Sequence, residues 1–425
     1  MKYVIIGNGV AAIGAVEGIR QTDRQNPITI IAAEPYATYS RPLIANLLRG
    51  KIHEADLAYR PEAFYRDNKV TLLLGRTATK IDVAARRALL EDGGKVPYDK
   101  LLIATGGKPF IPPIQGKDGP DVYTFTTLDD AKKLDTLVGK IKQIVVIGGG
   151  LIGLKAAESL HDRGLKVTVV ELADRILSTA FDQTAGKIIG NRLAEVGIEV
   201  ITENSVKEIV RKKDRVKGIK LNNGQNRGCE AVVIAIGVIP DKDIVKGTGI
   251  ETNRGIVVND YLETSVSDIY AAGDVAEALD LLSGERRVVP IWPNAYNQGQ
   301  YAGRNMAGAR VAYKGGLPMN SIEFYGIPTM SMGMANPAGA GYEVITRLIP
   351  EKNVYRKLVL RDGILVGAML IGEVERAGIL TGLIRNRVKV SSFKEELMKD
   401  TLSLSSLPGE IRAERLSNQE LYGAA

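Results

Sequence analysis

Two glycine clusters carry the clearest chemical signal in the chain. Gly7-Asn8-Gly9-Val10-Ala11-Ala12 reads G-x-G-x-x-A, and Gly148-Gly149-Gly150-Leu151-Ile152-Gly153 reads G-x-G-x-x-G. In such turns the first glycine permits a tight bend, the second lets a pyrophosphate reach the backbone, and the third position must be small so that helix and strand pack closely. The helix that follows points free N–H groups and a partial positive charge at the phosphates. A carboxylate stands downstream of each cluster: Glu34, 25 residues beyond Gly9, and Glu171, 18 residues beyond Gly153. At these strand ends a carboxylate accepts hydrogen bonds from ribose hydroxyls. Glu171 would also repel a 2′-phosphate, which favours NAD(H) over NADP(H); Arg175 nearby pulls the other way, and a solvated strand end is the plainer reading of Glu171. Two such sites about 140 residues apart are expected to hold two dinucleotides, a flavin and a nicotinamide that meet to pass a hydride.

The other reactive side chains exclude more than they offer. There is one cysteine, Cys229, so neither an internal disulfide nor a cysteine-held iron–sulfur cluster is available. Cys229 reads as structural. With only His53 and His161, no metal site is expected and neither histidine is assigned a proton-transfer role. Redox chemistry must then come from a bound organic cofactor. The formal charge of +7 suits nucleotides or an acidic protein partner. Arg211-Lys212-Lys213-Asp214-Arg215 reads as a solvated hairpin tip between strands Val206–Val210 and Val216–Leu221, not as a nucleic-acid patch. No apolar run approaches the roughly 18 residues of a membrane span. Met1-Lys2 leads directly into a strand, unlike a signal peptide, so a cytoplasmic location is the expectation.

The elements that position these residues alternate in type. Strands at Tyr3–Ile6 and Ile144–Ile147 precede the glycine turns, helices at Ile13–Arg20 and Leu154–Arg163 follow them, and further strands end at Glu34 and Glu171. Two more strands run into Ala104-Thr105-Gly106 and Ala272-Gly273-Asp274. From about residue 315 a different pattern begins, with strands near Ile322–Phe324, Val354–Leu360 and Ile364–Leu370 and a helix near Val374–Asn386. The expected fold is α/β, with two Rossmann-like nucleotide-binding domains and a smaller α+β C-terminal domain.

The four motifs in this order resemble the two-dinucleotide-binding flavoprotein superfamily, the pyridine nucleotide–disulfide oxidoreductase class, over nearly the whole chain. The resemblance implies that non-covalent FAD lies at Gly7, Gly9, Ala12 and Glu34, with Gly273 near its pyrophosphate and Asp274 at its ribitol. It implies NAD(H) at Gly148, Gly150, Ile152, Gly153 and Glu171, with Gly237 closing that site. Thr105 and Gly106 fall in the crossover, so the NAD domain is an insertion in the FAD domain. That places FAD in 1–112 and 242–315, NAD in 113–241, the α+β domain in 316–390, and a helix and polar tail in 391–425. Pro109, Pro112, Pro113, Gly237 and Pro240 punctuate the joints. Residues 391–425 are either packed on their own domain or a docking segment.

Tyr39-Ser40-Arg41-Pro42-Leu43 is similar to the NADH:rubredoxin reductase and nitrite reductase flavin-domain branch, where Arg41 and Pro42 would lie against the flavin and its phosphates. Trp292, in Pro290-Ile291-Trp292-Pro293-Asn294, is similar to the helix start beneath the flavin; it also suits plain core packing. Residues 36–55 contain no cysteine where the disulfide reductases, peroxidases and oxidases carry theirs. Lys155 stands where the family usually has a glutamate facing the flavin–nicotinamide contact. Lys155 there would make the contact more electropositive, unless it points to solvent. The function implied is electron transfer between NAD(H) and an iron–sulfur protein or subunit of rubredoxin or ferredoxin type. The flavin subunits of anaerobic oxidoreductase complexes look similar, so a stable hetero-oligomeric complex or a homodimer is expected. The alternatives are an NADH oxidase-like enzyme with a small acceptor and a regulatory flavoprotein resembling apoptosis-inducing factor.

Overall fold

The apolar run at the start of the chain forms strand β1 (Tyr3–Ile6), with every side chain buried. In the computed structural model, which describes residues 1–417, it is followed by helix α1 (Val10–Thr22), strand β2 (Ile28–Ala32), the short helix α2 (Ile44–Leu48) and strands β3 (Val70–Leu74) and β4 (Lys100–Ile103). Helix α3 (Leu128–Asp135) opens the next stretch. Strand β5 (Gln143–Ile147), helix α4 (Leu151–Asp162), strand β6 (Lys166–Val170), helix α5 (Gln183–Val196) and strand β7 (Ala231–Ile234) follow. Strand β8 (Ile269–Ala271) and helix α6 (Trp292–Met306) return to the first half.

Two parallel sheets result. One has the order β8-β4-β1-β2-β3; the other runs Glu199–Ile201, β6, β5, β7, Val122–Tyr123. Their central strands are continuous Ile, Val and Leu runs because both faces are covered, as parallel sheets require. A two-stranded antiparallel ribbon, Gly107–Pro109 with Val238–Pro240, forms where the chain passes between the halves. Helices α1 and α6 touch backbone to backbone. A Cβ on Gly14 would stand 2.2 Å from the Tyr296 carbonyl oxygen, and one on Gly299 2.1 Å from that of Ala11. Glycine at these positions lets α6 start beside the first glycine turn. The Arg211–Arg215 segment is the tip of an antiparallel pair, Val206–Lys212 with Arg215–Leu221, with Lys213 and Asp214 in the left-handed region. The inner face of that pair shares a core with Cys229.

By its internal contacts the chain divides into two units, Met1–Ile176 with Leu193–Gly316, and Leu177–Arg192 with the residues from Leu317 onward. The second unit is built on a five-stranded antiparallel sheet in the order Met319–Phe324, Ile327–Gly333, Ile364–Ile371, Val354–Arg361, Glu343–Ile349. Its helix spans Ala377–Arg385, shorter than the 374–386 expected, because Val374 to Arg376 form a turn in which the Val374 carbonyl accepts from Ala377 N. Residues 391–407 are short 3-10 turns rather than the expected helix. Phe393, Leu397, Met398, Leu402 and Leu407 are buried, and buried Arg356 donates to the Met398 carbonyl at 2.6 Å. This stretch therefore packs on its own unit and is not a free docking segment. A helix does occur beyond it, at Gly409–Ser417; the polar end expected after it lies outside the described residues.

Candidate nucleotide-binding site

The two glycine turns share one geometry. Gly7 and Gly148 have φ of +110° and +112°, and a Cβ on either would lie 2.1 and 2.4 Å from the carbonyl oxygens of Ala104 and Ala235. Only glycine combines that backbone with that approach. Gly9 and Gly150 then cap α1 and α4 in extended conformation. Neither helix has a side-chain cap or an acidic residue in its first turn, and a Cβ on either capping glycine would meet nothing within 4 Å. Unfilled space in front of uncapped helix N–H groups suits an anionic pyrophosphate at both turns. Ala12 and Gly153 occupy the third position. Ala12 is fully buried, and a Cβ on Gly153 would lie 1.9 Å from the Gly148 carbonyl oxygen. Ile152, half-buried, sits in the first turn of α4.

The strand-end acids are more engaged than the sequence alone conveys. Glu34 accepts from the Tyr39 hydroxyl at 2.6 Å and forms an ion pair with Arg41. Arg41 also donates to the Thr126 carbonyl at 2.8 Å, and Leu128 N donates to the Tyr39 hydroxyl at 2.9 Å. Pro42, exposed, follows in the same 3-10 turn. Glu171 accepts from Gly149 N at 2.6 Å and from Ala173 N at 2.8 Å. Arg175 pairs with its neighbour Asp174 at 2.6 Å.

Asp274 and Gly273 lie between α1 and the start of α6. Gly273 N donates to Gln298 Oε1 at 2.8 Å, and a Cβ on Gly273 would approach Ala11 and Ala295. Burial pushes the Asp274 carboxyl up to about 6, against the pull of the Arg41 charge. Trp292, half-buried at the start of α6, meets the edge of the Tyr59 ring at 5.5 Å, and Arg60 lies over that ring. Thr105 donates to the Asp241 carbonyl at 2.6 Å and Asp241 N donates to the Gly106 carbonyl at 2.9 Å, joining the two crossover segments. Gly237, at φ +113°, follows β7 with open space at its Cβ.

Lys155 is not a bare cation. It is ion-paired with Glu158, whose carboxylate is only 1% exposed and also lies 3.4 Å from Arg49. Arg49 extends from the end of α2 and pairs with Asp162 as well. This cluster, the Tyr39–Glu34–Arg41 network and the α1–α6 contact are absent from the sequence reading. The last has a sequence signal, the four-residue glycine spacing at Gly14 and Gly18 and again at Gly299 and Gly303, and the cluster has one in the three-residue spacing of Lys155 and Glu158.

Cys229 is 3% exposed in the core of the second sheet, and burial pushes its thiol up to about 12. No helix among the described residues is long and apolar enough to cross a membrane.

Comparison with known proteins agrees with this geometry. Residues 1–299 match the model of the pyridine nucleotide-disulphide oxidoreductase family, and residues 318–388 match the rubredoxin NAD+ reductase C-terminal domain. The chain is 33% identical over 408 residues to the NADH-dependent phenylglyoxylate dehydrogenase subunit epsilon of Aromatoleum evansii, covering 95% of this chain and 96% of that one. It is 32% identical over 404 residues to the nitrite reductase [NAD(P)H] of Bacillus subtilis (strain 168), covering 95% of this chain and 49% of that relative, about half its length. Among solved structures, a ferredoxin reductase from Rhodopseudomonas palustris superposes with a TM-score of 0.83 at 28% identity, over 89% of this chain and 92% of that one. The chain belongs to the pyridine nucleotide-disulphide oxidoreductase family and is an oxidoreductase that uses FAD and NAD(H).

Proposed function

We propose that the chain carries electrons between NAD(H) and an iron–sulfur protein or subunit of rubredoxin or ferredoxin type. In this reading residues 1–112 and 242–315 hold FAD and residues 113–241 hold NAD(H). The observation that carries it is two uncapped glycine-turn sites, at α1 and α4, in a chain whose one thiol is buried in a core. FAD, when bound, takes two electrons from NADH and releases them singly. The chain itself positions and insulates. The Gly9 and Gly150 turns seat the pyrophosphates, Glu171 takes the NAD(H) ribose, and Arg41, held by Glu34, reaches the flavin phosphates. The N-terminus of α6 at Trp292 favours negative charge on the reduced ring. With no cysteine relay, the acceptor must approach from outside the chain.

The names of the relatives support an iron–sulfur acceptor: a ferredoxin reductase aligns over most of the chain, and the C-terminal match is to a rubredoxin NAD+ reductase domain. Similarity to a dehydrogenase subunit supports a place in a larger complex. The chain's charge of +7 favours an acidic partner, and such attraction is screened over a Debye length of about 10 Å at 0.1 M salt. Stopped-flow mixing with an acidic ferredoxin at low and high ionic strength tests this. Exchange should be several-fold faster at low salt, while flavin reduction by NADH changes little. Salt-independent exchange, or turnover with oxygen or peroxide that outpaces ferredoxin, would overturn the reading.

A further inference from the structure

The five-stranded antiparallel sheet of the second unit ends on one side at the strand Glu343–Ile349, which pairs with Val354–Arg361 alone. Among the described residues no other strand and no backbone hydrogen bond reaches its outer edge. The strand is bounded by Gly341, at φ +93°, and by Pro350, and it runs beside its neighbour without a bulge. Side chains alternate along it. On one face Glu343 pairs with Lys394, and Arg347 donates to Asp400 at 2.7 and 3.0 Å. The opposite row is exposed, Val344 at 49% and Leu348 at 48%, with exposed Thr346 between them. Such edges are ordinarily guarded by a charge, a proline or a bulge. The other edge of the same sheet, Met319–Phe324, turns Ser321 and Glu323 outward; the exposed row of Glu343–Ile349 carries no such guard.

We infer that a second copy of the chain joins at this edge, Glu343–Ile349 against its own counterpart, antiparallel about a two-fold axis at Ile345. In a contact of this symmetry, residue i meets j and j meets i. Outward backbone groups recur at every second residue, so facing positions share a side of the sheet. About Ile345 the facing pairs are Tyr342 with Leu348, Glu343 with Arg347, Val344 with Thr346, and Ile345 with itself. Each pair is matched in kind: aromatic on aliphatic, acid on base, β-branched on β-branched. Moving the axis to Val344 or Thr346 sets Glu343 against an isoleucine, and moving it to Arg347 sets two like charges face to face. Charge complementarity of the strand with itself therefore selects both the occupant and the register. Val344 and Leu348, exposed in the single chain, are covered by Thr346 and Tyr342 of the second copy.

The test is sedimentation velocity of the full, FAD-loaded chain over a concentration series. Wild type should pass from monomer to dimer. Val344→Lys and Glu343→Arg should each weaken the dimer about tenfold or more, since a lysine in the row or two like-charge pairs oppose the contact, with FAD content unchanged. An equimolar mixture of Glu343→Arg and Arg347→Glu proteins should recover the dimer, because each then offers the other two opposite charges. Ile345→Cys should form an interchain disulfide under mild oxidation, facing Cα atoms lying about 4.5–5.5 Å apart, and Thr346→Cys should not. Wild type that stays monomeric throughout overturns the proposal, as does a dimer that survives both Val344→Lys and Glu343→Arg. So does a mixture of folded variants that stays monomeric, or cross-linking through Thr346→Cys in place of Ile345→Cys. If Arg347→Glu does not fold, the two cysteine variants decide the register alone.

Discussion

Asp274 offers a quantitative test of the site, because its environment opposes its charge. Its carboxyl is raised from 3.8 to about 6, burial being the cause and Arg41 a partial offset. An acid raised in the folded state is protonated there at a pH where the unfolded chain has already ionised. Stability is therefore unaffected below pH 3.8, falls as pH rises from 3.8 to 6, and stays reduced above 6. The rise to about 6 corresponds to about 3 kcal/mol at pH 7.5. Asp274→Asn keeps the shape and removes the charge. The flavin-free variant should therefore be more stable than wild type by about 3 kcal/mol at pH 7.5 and nearly equal to it at pH 3. With a denaturant slope of about 3 kcal/mol per molar urea, that gain is a midpoint shift of about 1 M. Trp292, the sole tryptophan, starts the helix beside Gly273 and reports unfolding of this unit by fluorescence. The same substitution removes a hydrogen-bond acceptor from the flavin side and should weaken FAD binding, so apo stability and cofactor affinity move in opposite directions. Equal stability of the two flavin-free proteins at pH 7.5, or a full gain that persists at pH 3, would refute the argument.

The glycine turns separate folding from binding. A Cβ at Gly9 or Gly150 meets no atom within 4 Å, so Gly9→Ala and Gly150→Ala should fold, with weakened FAD binding in the first and weakened NADH binding in the second; Gly7→Ala should fail to accumulate as folded protein, since its Cβ would lie 2.1 Å from a carbonyl oxygen at φ +110°. Flavin release after purification and circular dichroism distinguish these outcomes. Glu171→Arg should narrow or invert the preference for NADH over NADPH, read as rates of flavin bleaching; a wild-type preference for NADPH would contradict the role given to Glu171. Cys229→Ser and treatment with an alkylating agent should leave turnover with one-electron acceptors unchanged, because the thiol is buried and pushed up to about 12.

What could be read from the sequence was what the backbone dictates locally. Gly7 and Gly148 are needed for a positive φ and a close carbonyl, requirements written at single positions and followed by a helix. The central strands of the two parallel sheets announce themselves as apolar runs, whereas the edge strands Val70–Leu74, Val122–Tyr123 and Glu199–Ile201 do not. What was not legible depends on residues far apart in the chain. Arg49 and Glu158 are separated by more than a hundred positions, and nothing in either neighbourhood marks them as partners. Residues 391–407 look polar in sequence, with lysines, glutamates and serines. The i, i+4 spacing of Phe393 and Leu397 and of Met398 and Leu402 reads as a helix, but these side chains are buried from short 3-10 turns instead.

The two strand-end acids show how one motif position comes to serve two purposes. Glu171 accepts from the middle glycine of its own phosphate turn, so the acid expected at the ribose and the loop expected at the pyrophosphate form one braced unit. A ligand that engages both finds them already aligned and loses less freedom on binding. Glu34 instead spends its two oxygens on Tyr39 and Arg41, and those two side chains reach the Leu128 amide and the Thr126 carbonyl at the start of α3. The acid of the first turn thus braces the approach between the two nucleotide-binding halves as well as its own site. Because the Arg41 charge also acts on the Asp274 carboxyl, the first acid is linked through one guanidinium to the Gly273-Asp274 turn. The electrostatics of the first site are shared across the crossover, and Arg49, through Glu158 and Asp162 of α4, links the helix of the second turn to the first half in the same way.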